Sequence, residues 1–165
     1  MAKQRFTRLA YPATIPPMAK TIWNPQDRAA LFARIDSLKP DSRPQWGKMS
    51  VTQMLRHCTV PILATMGEYK VTHKKTFFRI WPMQKLIIYV LPWPQGAPTA
   101  PEFVITEDGD FQTRLAGLRA AVDKFVSRGL TQTFQDHAAF GPLSPDDWGA
   151  LTHRHIEHHL KQFGA

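Results

Sequence analysis

The sequence predicts an all-α fold, an up-down bundle of four helices with a long crossover between the second and the third. Four segments carry apolar residues at helical spacing, and each begins at a residue type that caps helices. The 14 prolines fall mainly between these segments, where they interrupt helices. A hydrophobic content of 43% is typical of a globular chain, and 165 residues can enclose one core. We therefore expect a single domain over residues 21–165, preceded by a basic arm at residues 1–20.

The first two predicted helices have clear starts. Asn24 precedes Pro25, which is the order of an N-cap followed by proline at the first helical position. This helix is expected to end before Pro40. Ser50 is followed three residues later by Gln53, the spacing of a capping box, and this predicts the start of the second helix.

The last two predicted helices are bounded in the same way. The third follows the sequence EDGD, carries one apolar stripe from Phe111 to Phe125 and is expected to end at Gly129. The fourth begins at Ser144 and runs to Gly164, so that it contains most of the histidines of the chain.

Residues 77–94, between the second and third predicted helices, are apolar and aromatic. Pro82 prevents this segment from forming one long helix, so we expect a broken helical or extended excursion that packs on the bundle. The same apolar side chains are also a candidate dimer surface, because exposed apolar area is rarely left bare. We expect a homodimer.

The charge, hydropathy and cysteine content of the chain limit the classes of partner and the location that we expect. The net charge of +8 comes from basic residues spread along the chain without a nucleic-acid-binding motif, so nucleic acid is not an expected partner. The most apolar stretch, LIIYVLPW, is too short to span a membrane. Cys58 is the single cysteine, which excludes an intramolecular disulfide and fits a cytoplasmic location.

Four histidines lie within HRHIEHHLKQFG, at the end of the fourth predicted helix. With about 100° of rotation per residue, His155 and His159 fall inside the apolar arc of this helix. His153 and His158 fall at its two edges. If the histidines formed a solvent-exposed face, they would lie on the side of the helix opposite the apolar arc. His155 and His159 are one turn apart, a spacing at which two imidazoles can bind the same divalent ion.

A third ligand is expected from the second predicted helix. His57 shares a face with apolar residues at positions 54 and 60, so it also points inward. Three inward-facing histidines from two helices predict a metal site, and buried histidines satisfied by hydrogen bonds remain the alternative. Zinc-protease motifs do not fit, because Glu157 has the wrong offset for H-E-x-x-H.

Other residues near these histidines have candidate roles. His137, His158 and Gln162 are candidates to support the ligands, although His137 also fits a loop histidine that caps a turn. Cys58 is rotated about 100° from His57 and is expected to be a buried structural thiol. His73 is expected to be solvent-exposed. No catalytic residue is assigned.

Four segments of the chain carry a family resemblance: TIWNPQDRAALFARIDSL, WGKMSVTQMLRHC, PTAPEF and HAAFGPLSPDDWGALTHRHIEHHLKQFG. They resemble the bacterial family catalogued as domain of unknown function 1569, which belongs to the DinB-like (YfiT-like) superfamily. The resemblance covers most of the chain from about Thr21 onward.

The resemblance implies a DinB-like four-helix bundle with an open metal site of three histidines, which map onto His57, His155 and His159. Nickel, zinc, iron and manganese all occur in such sites, so the divalent transition metal is not specified. Better-understood relatives are transferases in which the metal activates a low-molecular-weight thiol. They carry H-H-R-G-Q where this chain has HHLKQ, with Leu160 in place of the arginine. The resemblance therefore supports the fold and the metal site of this chain more strongly than it supports the transferase reaction.

Two classes of function follow from these observations. The first is a metal-dependent transferase or hydrolase that acts on a small molecule. The alternative is a non-catalytic, dimerising module for small-molecule binding or stress response, in which the histidines are satisfied internally.

Overall fold

The computed structural model describes residues 19–72, 76–97 and 99–165. Within these ranges the chain is helical and contains no strand, so the all-α prediction is confirmed. Most of the predicted basic arm (residues 1–20) and His73 lie outside the described residues. The α-helices are α1 (Pro25–Asp36), α2 (Val51–Thr65), α3 (Met83–Lys85), α4 (Phe111–Arg128) and α5 (Pro145–Gln162).

The four longer helices, α1, α2, α4 and α5, are the four that the sequence predicts, and their caps are formed as expected. The Asn24 side chain accepts two backbone N–H groups at the start of α1. Ser50 and Ser144 each form a complete capping box, at α2 and α5. The carboxylate of Asp110 accepts from the backbone N–H of Thr113 at the start of α4. Local sequence therefore determines where each long helix begins.

The four longer helices surround one core. α2 packs against α4 and α5, and α5 packs against α1. A polar contact joins α1 to α4: Arg119 Nε lies 3.1 Å from a carboxylate oxygen of Asp36, and the Arg119 guanidinium lies 4.5 Å from the centre of the Phe32 ring. The largest fully buried side chains include Phe125, Leu31, Ile35, Leu55, Leu118, Ile156 and Leu160.

The segment between α2 and α4 is a broken helical excursion, one of the two forms that the sequence predicts. It contains a 3-10 turn at Phe77–Arg79, the short helix α3, a π-helix at Leu86–Val90 and a second 3-10 turn at Pro101–Phe103. Pro82 immediately precedes α3, where its missing N–H breaks no helical hydrogen bond.

Polar contacts fasten this excursion to α5. Lys85 Nζ lies 2.5 and 2.6 Å from the two carboxylate oxygens of Asp147, and the Tyr89 hydroxyl donates to the same group at 2.8 Å. Arg154 donates to the carbonyls of Ile87 and Ile88, within the π-helix. Residues 85–90 therefore pack on the helices as expected.

The outer side of the excursion is different. Phe77, Phe78, Ile80 and Trp81 are between 44% and 72% exposed. Whether a second copy of the chain covers these side chains stays a prediction. Among the described residues, no helix is both long and apolar enough to cross a membrane.

Candidate metal centre

Three histidine rings meet between α2 and α5. The ring centres of His57 and His155 are 5.0 Å apart, those of His57 and His159 are 4.7 Å apart, and those of His155 and His159 are 4.9 Å apart. One nitrogen from each ring lies within 4.8 Å of the other two. We call His57, His155 and His159 the histidine triad. The structure thus brings together the three residues that the sequence selects.

The burial of the histidine triad is uneven. His57 is 5% exposed and His159 is 8% exposed, while His155 is partly exposed. The site is therefore enclosed by protein on the side of His57 and His159, and His155 is the least buried residue of the three.

A backbone carbonyl fixes the protonation pattern of His57. Its Nδ1 lies 2.9 Å from the carbonyl oxygen of Phe103, which can only accept a hydrogen bond. The neutral ring therefore carries its proton on Nδ1, and Nε2 has a lone pair. This Nε2 lies 3.1 Å from Nε2 of His155, so the lone pair points into the triad.

A relay of two hydrogen bonds fixes His159 in the same way. The side-chain amide of Gln162 donates to the carbonyl oxygen of Trp46 at 2.7 Å. Its oxygen must then face Nδ1 of His159, which lies 2.8 Å away and donates to it. The neutral His159 ring therefore also carries its proton on Nδ1 and has a lone pair on Nε2. Such outer hydrogen bonds are common around metal-binding histidines, where they orient the ring.

Burial keeps all three rings neutral near pH 7. It lowers the pKa of His57, an effect that the hydrogen bond to the Phe103 carbonyl partly opposes. It lowers the pKa of His159 to about 4, even though the bond to Gln162 acts in the opposite direction. The pKa of His155 is held well below its usual value by burial and by the neighbouring histidines. Neutral imidazoles are the form that binds metal ions.

The residues present fit a divalent transition metal. Nitrogens that bind one tetrahedral zinc ion at 2.0–2.1 Å lie about 3.3 Å from each other. The 3.1 Å between the Nε2 atoms of His57 and His155 is close to that value. Three neutral nitrogen donors suit zinc, nickel, iron and manganese alike, so the donor set does not specify the ion.

His158 lies beside the histidine triad without joining it. Its ring is 5.2 Å from the ring of His159, and it sits between Trp46 and Trp93 at 5.9 and 5.8 Å. Trp93 also approaches His155, with 6.2 Å between ring centres. Aromatic side chains therefore form the surroundings of the partly exposed side of the triad.

His137 occupies a tight turn before α5. Its Nδ1 accepts from the backbone N–H groups of Ala139 and Phe140, each at 3.1 Å. The ring stacks on Phe140 and contacts Trp148, with ring centres 4.6 and 5.3 Å apart. His137 thus caps a turn, which is one of its two candidate roles from the sequence, and a supporting role at the metal site stays a prediction.

Cys58 and His153 are two further buried residues near the site. Cys58 is fully buried and its thiol lies 3.8 Å from the sulfur of Met54, so the prediction of a buried structural thiol is confirmed. His153 is only 3% exposed, although its helical angle predicts a position at the edge of the apolar arc. A position at the edge of the arc is compatible with this burial, because α1 packs against α5.

Sequence reasoning missed three groups at the site. The carbonyls of Phe103 and Trp46 orient the histidine triad, and the Trp93 ring lies against His155. Backbone carbonyls have no signature in a sequence, so only the folded chain could reveal the first two. The aromatic content of residues 77–94 is the sequence signal that points to Trp93.

The described residues thus define an all-α protein in which three histidines from two helices converge. The family described as "Protein of unknown function (DUF1569)" has a model that matches residues 23–165, and the chain belongs to this family. No curated protein and no solved structure matches the chain.

Proposed function

We propose that the chain is a DinB-like up-down four-helix bundle that binds a divalent transition metal at the histidine triad. The arrangement of α1, α2, α4 and α5 around one core, with a long excursion between α2 and α4, supports the placement in the DinB-like superfamily. A cytoplasmic location, which the single free cysteine favours, stays a prediction.

One observation carries the metal proposal: the outer nitrogens of His57 and His159 are occupied by acceptors, so that their lone pairs face inward. Without an ion, the lone pair on Nε2 of His57 can accept a hydrogen bond from an Nε2–H of His155, which lies 3.1 Å away. To bind the same ion through Nε2, His155 must carry its proton on Nδ1.

The reaction that this site supports best is a metal-dependent transferase or hydrolase step on a small molecule. A bound divalent cation would supply positive charge, which favours the deprotonated form of a thiol or a water. The chain itself contributes orientation, through Phe103 and Gln162, and limited access of water, through the buried His57 and His159. A low-molecular-weight thiol is the proposed co-substrate. Leu160 is 1% exposed and lies in the core, so this position cannot contribute a group to thiol binding.

Metal content is the experiment that tests this proposal. Tag-free protein, purified without chelators, is analysed for metals beside His57→Ala and His155→Ala. His153→Ala is the matched control, because His153 is a buried histidine of α5 outside the triad. We expect near-stoichiometric metal in the parent and in the control, and loss of it in both triad variants. A folded parent that stays empty after incubation with zinc, nickel, iron and manganese would contradict the proposal.

The exposed side of the excursion favours a second candidate function, a dimerising binding module without catalysis. Phe77, Ile80 and Trp81 are each more than half exposed, and apolar aromatic surface of this kind is enriched at protein interfaces. The proposed partner is a second copy of the chain. Sedimentation velocity should show a dimer that Phe77→Ser with Trp81→Ser converts to a monomer. A parent that is monomeric at high micromolar concentration would contradict this candidate.

A further inference from the structure

A pocket of about 370 Å³ lies at one end of the groove between α2 and α5. This volume is within the range of about 300–1,000 Å³ that is typical of small-molecule sites. We call it the Trp148 pocket. Its lining includes Pro61, Thr65, Lys70, Phe103, His137 and Trp148.

The Trp148 pocket adjoins the histidine triad. Phe103 lines the pocket, and its carbonyl oxygen accepts the hydrogen bond from His57. Pro61 is one helical turn beyond His57, and Trp148 is two turns before His155 on the same side of α5. At a rise of 1.5 Å per residue, these separations are roughly 6 and 10 Å along the helices. The pocket therefore lies within roughly 10 Å of the triad along the helices, on the side of His57 that carries Nδ1.

The inner walls of the pocket are flat, apolar and rigid. Pro61, Phe103 and Trp148 supply apolar surface, and Trp148 is 5% exposed. The His137 ring is held in place because its Nδ1 accepts two backbone N–H groups while its face stacks on Phe140. Walls of this kind suit the flat apolar body of an aromatic ligand.

The charge at the mouth of the pocket is positive. Lys70 lines the pocket and is exposed to solvent. Three carboxylates lie near it, and each has another partner. Glu68 pairs with Lys124 and Arg128, at 2.7 and 3.0 Å. Asp136 pairs with Arg79, at 3.6 Å. Glu102 accepts from the backbone N–H of Thr72 at 3.1 Å. None of the three carboxylates is therefore fully available to neutralise Lys70.

We propose that the Trp148 pocket binds a small aromatic carboxylate. The ring packs between Phe103 and Trp148, and the carboxylate pairs with Lys70 at the mouth. The ligand class follows from the walls and the charge of the pocket alone. That such a molecule is also the substrate rests on the proposed metal function.

Binding of a matched pair of probes tests this inference. Sodium 3-phenylpropionate and its neutral amide, 3-phenylpropionamide, are titrated into the full chain at low ionic strength, where charge pairs are least screened. The readout is the indole N–H signal of Trp148 in nitrogen-15 spectra, assigned with Trp148→Phe. We expect both probes to shift this signal. The carboxylate should bind roughly two- to five-fold more tightly than the amide, as an exposed charge pair allows.

The variant Lys70→Met should remove the preference for the carboxylate, whereas Lys48→Met, at an exposed lysine outside the pocket lining, should keep it. The inference is overturned if neither probe shifts the Trp148 signal, if both bind equally to the parent, or if the two lysine variants behave alike. Metal content is measured on the same samples. Probe binding by a protein that contains no metal would contradict the proposed metal function and support the inference about the pocket. Bound metal without probe binding would support the metal function and contradict the inference about the pocket.

Discussion

The side-chain oxygen of Gln162 lies 2.8 Å from Nδ1 of His159, and the same amide group donates to the carbonyl of Trp46 at 2.7 Å. The second bond sets which way the amide points, and the first then sets which nitrogen of His159 carries the proton. Gln162 is 4% exposed, so water does not compete for either bond. Gln162 thus determines which nitrogen of His159 faces the inside of the histidine triad.

Replacing Gln162 by leucine should therefore weaken metal binding without unfolding the protein. The Nδ1–H of His159 would lose its acceptor, and both tautomers of the ring would become populated. Loss of an outer hydrogen bond of this kind typically lowers metal affinity about 10- to 100-fold. Competition with a chelating dye measures the affinity, and the nitrogen-15 shifts of the His159 ring in metal-free protein report the tautomer.

The control for this variant is Gln112→Leu, which changes an exposed glutamine of α4 away from the triad. It should leave both the affinity and the ring shifts unchanged. If Gln162→Leu keeps a single His159 tautomer and the full affinity for metal, the orienting role of Gln162 is wrong.

Cys58 should be inert to thiol reagents in the folded protein. Burial raises the pKa of its thiol, and the side chain is 0% exposed, so that neither the thiolate nor access is provided. If reaction requires an opening that costs about 3 kcal/mol, labelling should be roughly 100-fold slower than in the unfolded chain. Timed labelling with a chromogenic disulfide in buffer and in urea measures this ratio. Equal rates in the two conditions would show that Cys58 is accessible.

The long helices and the histidine triad could be predicted because their signals are local. Each start depends on a cap within four residues, as at Ser50 and Ser144, and the inward direction of each triad histidine depends only on helical phase. Convergence of two helices on one site then required only that α2 and α5 pack together.

Features that depend on packing between elements could not be predicted. The apolar run at residues 86–90 has neither a helical nor a strand periodicity that would identify its structure. It forms a π-helix, and Arg154 donates hydrogen bonds to two of its carbonyls. His153 lies at the edge of an arc in projection, but α1 covers that edge in the folded chain. Helical phase gives the direction of a side chain, and only the neighbouring helix decides whether that direction is buried.

Acid should destabilise the metal-free protein through His159. Its pKa falls from the usual histidine value of 6.5 to about 4 on folding, mainly because the ring is buried. Between these two values the unfolded chain binds more protons than the folded chain, so stability is complete above about pH 6.5 and decreases as the pH falls towards 4. The expected slope is about 1.4 kcal/mol per pH unit for one such histidine.

Urea unfolding of chelator-treated protein at pH 7.5, 6 and 5 measures this dependence. The variant His159→Gln should show a shallower loss of stability over the same range, because it lacks the titrating ring. Identical pH dependence in the parent and the variant would mean that His159 titrates equally in the folded and unfolded chains.

Asp147 should be the polar residue that couples the excursion to α5. Its side chain is 2% exposed and accepts from Lys85, Tyr89 and Ser144. Burial acts to raise the pKa of this carboxyl, but the hydrogen bonds outweigh burial and hold the pKa below its usual value.

Asp147→Asn removes the charge that these donors surround, so the free energy of unfolding should fall by roughly 2–4 kcal/mol. The neighbouring Asp146 is exposed in the same first turn of α5, and Asp146→Asn should cost less than about 0.5 kcal/mol. Chemical denaturation of the two variants at pH 7 gives both values. Lys85→Met alone and combined with Asp147→Asn completes a double-mutant cycle, in which a coupling energy near zero would show that the Lys85–Asp147 pair does not join the excursion to the helix.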